Sequence, residues 1–467
     1  MRRIFVPALA FFPALLLSTP PQDQKKSPAD LVRLIRKAVE GGKEDEALAL
    51  IRELGGAGAA LKDLFDLGIK IQIPRLYHEV TAQLAARTDE EALKYFEAEA
   101  KGSNEVRQIY LADVLAEMKA PRAVEIAGLL VEDRNPTVLR SAIATLGKLK
   151  VRGSVAPLLK LLERLEGAKD RGQVYQELRD ALFALTGQDF EAVADWKKWW
   201  DINQGTFEPG KQAEGATQVR KAPRDSVPEF AGKKIFGKNV VFVIDTSGTM
   251  RFVQKDDIPG LGVVSKGRDS EKASGRVKEG SLTKENERLA RFWGRMEMAK
   301  RALLKAIQGF DARARINVLE FNSKVKRLEK TLFSATPAAK KKAEDWVKKM
   351  KWIPNGNTNT MASLEEAFAV DGSVSEIYFL SDGIPSKDGT VNDPPGPILE
   401  RVEALNRFRK VKIYTFGFNP KYLLKENGDQ SRELTQANEF LKTLAESTGG
   451  TFTELKVTDE KPPKDFK

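Results

Sequence analysis

The sequence predicts a multidomain chain: an α-solenoid first half followed by an α/β, doubly wound second half. Three observations carry this. Between Ala29 and Trp200 apolar residues recur at spacings of three and four, the period of an amphipathic helix. From Gly237 onward short continuous apolar runs alternate with helical stripes, the pattern of a parallel sheet covered by helices on both faces. Between these regions, Asn203 to Lys234 is rich in Gly, Pro, Lys, Gln and Ser and has no period, which marks a linker. A chain of 467 residues is also too long for one ordinary core.

The chain begins MRRIFVPALAFFPALLLSTPPQ. Arg2 and Arg3 give a basic start, residues 4–17 an apolar core, and Ser18 to Pro21 a small, helix-breaking exit. This is a secretory signal pattern over 1–21, which places the mature protein outside the cytoplasm, periplasmic or secreted. Pro7 and Pro13 interrupt the run and it is short for a membrane span, so no stable transmembrane segment is expected after cleavage. An uncleaved anchor is the alternative.

The helical region is expected over 28–203. Leu31, Ile35 and Val39, then Ala47, Leu50, Ile51 and Leu54, give its first apolar stripes. Residues from Asn104 onward repeat from Asn135: Leu115 falls over Leu146, Met118 over Leu149, and Val124 over Val155. A looser copy ends at Leu182 and Leu185. Such periods mean stacked helix pairs, each too small to bury its own apolar face. Asp133-Arg134-Asn135-Pro136 before a helix, Leu146-Gly147, and Val155-Ala156-Pro157-Leu158 resemble the HEAT-repeat family, which implies a scaffold or binding surface. Trp196, Trp199 and Trp200 stand at helical spacing and read as a buried capping seam.

After the linker (204–236), the second half is expected over 237–457, with an insertion at 251–289 and a tail at 458–467. Val240 to Ile244, Arg315 to Phe321, Glu376 onward, Val411 to Phe418 and Thr451 to Leu455 read as strands. Met296, Ala299, Leu303 and Ile307 form one helical stripe, and Ala343, Trp346, Val347 and Met350 another, opened by Thr336-Pro337 as cap and first-turn proline. Helices also follow from Ser363 and over 440–446, the latter stopped by Gly449-Gly450.

Composition excludes several chemistries. The chain has no cysteine, so disulfides, thiol catalysis and thiolate zinc sites are absent. The single histidine, His78, lies in a helical apolar setting and reads as a satisfied structural residue. Net charge is +11, but Lys and Glu are interspersed throughout, which describes a solvated basic surface and no nucleic-acid partner.

Two strand ends carry polar groups that a buried strand does not need. VVFVI runs into Asp245, Ser247 and Thr249, and YFL runs into Ser381 and Asp382. A third loop, PNGNTNT, places Thr358 before a helix, with Thr360 two residues on. Aspartates and hydroxyls without nitrogen or sulfur ligands suit a hard, oxygen-seeking cation. In doubly wound sheets such groups meet at the carboxyl ends of the strands.

DTSGT, NTN and LSDGIP, in this order, resemble the metal-ion-dependent adhesion site of a von Willebrand factor A domain, over about residues 237–457. Thr249 replaces that family's second serine and keeps the hydroxyl. The resemblance implies that Ser247, Thr249 and Thr358 bind the ion directly, while Asp245 and Asp382 act through water or hydrogen bonds. It implies Mg²⁺ or Mn²⁺, with Ca²⁺ as an alternative, and a partner protein whose exposed Asp or Glu completes the shell. The expected function is therefore non-enzymatic, metal-dependent protein binding. The polar insertion reads as a surface loop, or as a lid over the metal loop.

Two other readings compete. One is a metal-independent scaffold in which the helical half binds and Asp245 and Asp382 only cap loops. The other is a serine acyl-transferase using Ser323 and Lys326 (S-x-x-K), Ser381-Asp382-Gly383 and Lys442-Thr443. Its context is wrong, because Ser323 follows a strand instead of opening a buried helix, and no glycine follows Thr443.

Overall fold

The computed structural model describes residues 26–56, 60–209, 227–252, 288–289, 291–388, 392–419 and 428–455, with 462 and 466; for 428–431 only the backbone is described. The expected signal segment, the middle of the expected linker and most of the 251–289 insertion lie outside the described residues.

The first half is helical. Its helices are α1 (Pro28–Glu40), α2 (Glu44–Gly56), α3 (Leu61–Lys70), α4 (Pro74–Ala85), α5 (Glu90–Ala100) and α6 (Glu105–Glu117). There follow α7 (Arg122–Leu130), α8 (Pro136–Leu149), α9 (Val155–Gly167), α10 (Gln173–Thr186) and α11 (Val193–Asn203). The repeat read from the sequence is the step from α6–α7 to α8–α9. Asn104 and Asn135 both cap their helices, accepting from Arg107 N at 3.2 Å and Thr137 N at 2.7 Å. Leu115 and Leu146 are both fully buried in the shared core. Helices α2, α4, α6, α8 and α10 pack in succession as one layer. Trp196 is buried and donates to Phe190 O at 3.1 Å, while Trp199 and Trp200 close on Phe207, so the tryptophans seal the end of the stack.

The second half opens with a hairpin inside the stretch read as linker: β1 (Glu229–Phe230) and β2 (Lys233–Lys234) pair antiparallel. Phe230 is fully buried against Phe242, Tyr378 and Phe416, so these residues belong to the sheet's core. The main sheet contains β3 (Asn239–Asp245), β4 (Arg315–Phe321), β5 (Val325–Arg327), β6 (Phe333–Ser334), β7 (Glu376–Leu380), β8 (Lys412–Phe418) and β9 (Phe452–Leu455). The order is β5-β4-β3-β7-β8-β9, with β6 also on β4; β3, β4, β7, β8 and β9 run parallel. Alternate β3 residues enter two cores. Phe242 and Ile244 meet Met296, Leu303 and Val347, while Val241 and Val243 meet Leu364, Phe368 and Val402. The short edge strands β5 and β6 were not expected. Helix Thr360–Ala369 starts earlier than the stripe indicated, and the last helix is longer, Gly428–Ser447.

The two halves touch through the α2–α10 layer. Helix Pro395–Asn406 and the residues after it reach across. His78 Nε2 lies 2.6 Å from Glu403 Oε1, Lys410 pairs with Asp113 at 2.8 Å and Lys412 with Glu177 at 3.2 Å. Arg407 donates to Ile71 O and, at 3.3 Å, to Gln72 O, with its guanidinium 4.0 Å from the Tyr77 ring centre. His78 is thus not satisfied within a helical core, as its setting suggested; its side chain is largely exposed and joins the two halves.

Candidate metal centre

Every β3 residue from Val240 onward is buried, so the strand delivers Asp245 to the sheet's end at no choice of face. β7, also fully buried, does the same for Ser381 and Asp382, which follow Leu380 directly. Ile244 lies opposite Leu380 in parallel register, so both carboxylates leave the sheet at the same end. The chain passes from β3 to β4 on one side and returns to β7 on the other, which makes this the switch point where doubly wound sheets bind ligands.

Asp245 is fully buried. Its Oδ1 accepts from Ser247 N at 2.7 Å and its Oδ2 from Ser381 Oγ at 2.5 Å. Ser247 Oγ lies 3.0 Å from Thr249 Oγ1, which donates to Asp382 Oδ1 at 2.7 Å. Thr246 turns away, donating to Phe321 O at 2.9 Å and accepting from Asn322 Nδ2 at 3.0 Å. The loop is pinned by Gly248 N to Gly356 O (3.1 Å) and Ile353 N to Thr246 O (2.9 Å).

Thr358 precedes helix Thr360–Ala369, which Asn359 caps through Ala362 N. A Cβ placed on Gly383 would stand 2.6 Å from Thr358 Oγ1, so that hydroxyl lies against the turn that follows Asp382. Thr360 sits in the first helical turn, buried, with its hydroxyl 3.5 Å from Thr358 O. Four of the five expected residues therefore form one hydrogen-bonded network, and Thr358 touches its edge. Burial, and next the charge of Asp382, push the Asp245 carboxyl up to about 7, against the pull of the Ser381 and Ser247 hydrogen bonds.

Sequence reasoning missed Arg295, the first residue of helix Arg295–Gly309. Its side chain is 2% exposed and its Nη1 donates to Asp382 Oδ2 at 2.5 Å. The guanidinium carbon lies 5.3 Å from the Phe252 ring centre and 5.4 Å from that of Phe418. Its Nε and Nη2 are buried and make no hydrogen bond among the described residues. The signal for it was present: Arg295 precedes Ala299 and Leu303 by one and two i+4 steps, on the buried stripe.

The donors suit a hard cation. They are hydroxyl and carboxylate oxygens, and the 3.0 Å between Ser247 Oγ and Thr249 Oγ1 matches the edge of an octahedron with metal–oxygen bonds of about 2.1 Å. Among the described residues no group of three or more His, Asp or Glu could cage an ion, so neutral hydroxyls would have to supply much of the shell. The charge balance is where Arg295 intervenes, because Asp382 already has a cation.

Residues 290–392 and 398–457 match the family model of the von Willebrand factor type A domain. The match begins beyond Asp245, Ser247 and Thr249, and includes Thr358 and Asp382. Among solved structures the chain is similar to a von Willebrand factor type A protein from Catenulispora acidiphila, at 16% identity over 48% of this chain and 40% of that one, with a TM-score of 0.29. It is also similar to the PilB minor pilin from Streptococcus sanguinis, at 14% identity over 52% of this chain and 61% of that one, with a TM-score of 0.28. The chain thus spans less than two thirds of the length of either. The candidate site of the second half lies where strands β3 and β7 end.

The acyl-transferase residues are not brought together. Ser323 Oγ accepts from Asn357 N at 3.0 Å, and Lys326 pairs with Glu320 at 3.0 Å. Ser381 is committed to Asp245, and Thr443 Oγ1 donates to Glu439 O within the last helix.

Proposed function

We propose that the second half is a von Willebrand A domain, called the A domain below, and that it binds a partner protein through a divalent cation. Ser247, Thr249 and Thr358 would hold the ion directly, with Asp245 and Asp382 acting through water or hydrogen bonds. The ion, Mg²⁺ or Mn²⁺ with Ca²⁺ as the alternative, would keep few bound anions and so attract an Asp or Glu side chain of the partner. The observation that carries this reading is the bond from Thr249 Oγ1 to Asp382 Oδ1, 2.7 Å, which ties the two strand ends into one oxygen cluster. The family match supports it, since A domains are interaction modules. The reading is non-enzymatic and places the protein outside the cytoplasm, on the strength of the N-terminal pattern; among the described residues no helix is long and apolar enough to cross a membrane.

Calorimetric titration with Mn²⁺ and Mg²⁺ tests the site. Binding heats that disappear in Asp245→Ala are the expected result, together with EDTA-sensitive capture of a partner. Equal heats for both proteins would remove the metal from the reading. A second reading, a metal-independent scaffold, is favoured by one observation: Arg295 already neutralises Asp382. Partner capture indifferent to EDTA would select it.

A further inference from the structure

We propose that Arg295 is a built-in gate of this site: its guanidinium is the resident counter-cation of Asp382, and a divalent ion enters only as Nη1 leaves Asp382 Oδ2. The inference rests on the metal reading above and deepens it.

Two features separate Arg295 from an ordinary structural arginine. A buried guanidinium normally satisfies its donors, because an unpartnered buried donor is costly. Among the described residues Nε and Nη2 are both buried and unpartnered, and only Nη1 is used, on the one carboxylate the ion would also need. Beyond that one bond the side chain lies between the rings of Phe252 and Phe418, contacts that have no fixed donor–acceptor geometry to break when it moves. The second feature is charge. Asp245 and Asp382 converge at one site, and a cation relieves their repulsion. Guanidinium cannot shed its proton in a protein, so it cannot yield to a divalent ion by neutralising itself. It yields only by moving, and the ion must overcome both the lost ion pair and the repulsion between two cations.

The consequence is a wild-type site of depressed ion affinity, which an acidic partner would raise by adding a carboxylate as Arg295 withdraws. The test compares wild type, Arg295→Gln, Arg295→Lys and the double variant Asp245→Ala/Arg295→Gln. Mn²⁺ affinity is read by calorimetry, and Mn²⁺-dependent thermal stabilisation gives an independent readout. Arg295→Gln is expected to bind Mn²⁺ at least tenfold more tightly than wild type, about 1.4 kcal/mol. The double variant should lose that gain. Arg295→Lys keeps the charge but not the flat contact with the rings, so it should fall between the two. It carries the test if Arg295→Gln does not fold. Affinities within twofold of wild type in the folded variants would overturn the gate and leave the metal reading standing. No Mn²⁺ binding by any variant, or binding that survives Asp245→Ala, would overturn both.

Discussion

Thr249 is the position where this chain departs from the adhesion-site pattern, and the departure is confined to one methyl group. The hydroxyl still reaches Asp382 and Ser247. Thr249→Val keeps the shape and removes that oxygen. It should lower Mn²⁺ affinity at least tenfold, and also destabilise the domain by about 1–3 kcal/mol because the buried Asp382 carboxylate loses a donor. Thr249→Ser should do neither; calorimetry and denaturant titration read the two effects separately. The cluster around Asp245 was legible because an apolar run that ends in a carboxylate and hydroxyls has no packing reason to do so. Arg295 was not, because an arginine at a helix start reads as a solvated charge until the helix stripe and the sheet's end are placed together.

At the scale of elements, the turn after β7 and the turn before helix Thr360–Ala369 approach closely where residue 383 has no side chain. Gly383→Ala would set a methyl 2.6 Å from Thr358 Oγ1. The Thr358 side chain or one of the two turns must shift, at a cost of about 1–3 kcal/mol. If Thr358 is a direct ligand, Mn²⁺ affinity falls in the same variant. A melting shift without a change in affinity would take Thr358 out of the ligand set. The parallel strands were readable from their unbroken apolar runs, and Arg315–Phe321 was found with its correct limits. β5 and β6 were not readable, because such short edge strands exist only through pairing with β4 and have no apolar period of their own. The β1–β2 hairpin was hidden for a similar reason: Pro, Gly and Lys around it have the composition of a linker, and only Phe230 ties it to the core.

For the whole molecule, the sequence announced two architectures but not which faces meet. His78 and Glu403 stand far apart in the chain, and no local pattern links them. Their hydrogen bond raises the His78 pKa and lowers that of Glu403. The stability that His78 contributes is complete below its unfolded value of 6.5 and lost as pH rises through the raised folded value. The share from Glu403 is present above 4.5 and lost as pH falls through its lowered folded value. His78→Gln should therefore lower the melting temperature most between about pH 4.5 and 6.5, with the effect fading as pH rises through the raised folded value. Arg407 is the central contact of the same surface. It is buried and donates to two carbonyls of the first half. Arg407→Ala should cost about 3 kcal/mol or more through charged hydrogen bonds and the lost Tyr77 contact. Scanning calorimetry should then show the halves melting as two transitions where the wild type shows one.

That surface has a consequence for how the protein can be taken apart. Residues 71–78, 113 and 177 on one side and 403–412 on the other supply an arginine clasp, three ion pairs and the edge-on packing of Phe408 against Tyr110. None of these contacts depends on the peptide that joins the halves. A chain opened between residues 209 and 227 should therefore yield two fragments that reassociate when mixed. That makes the protein a candidate for a split reporter, with Lys410 and Asp113 as the pair whose charges could be exchanged to create a second, non-crossing set of halves.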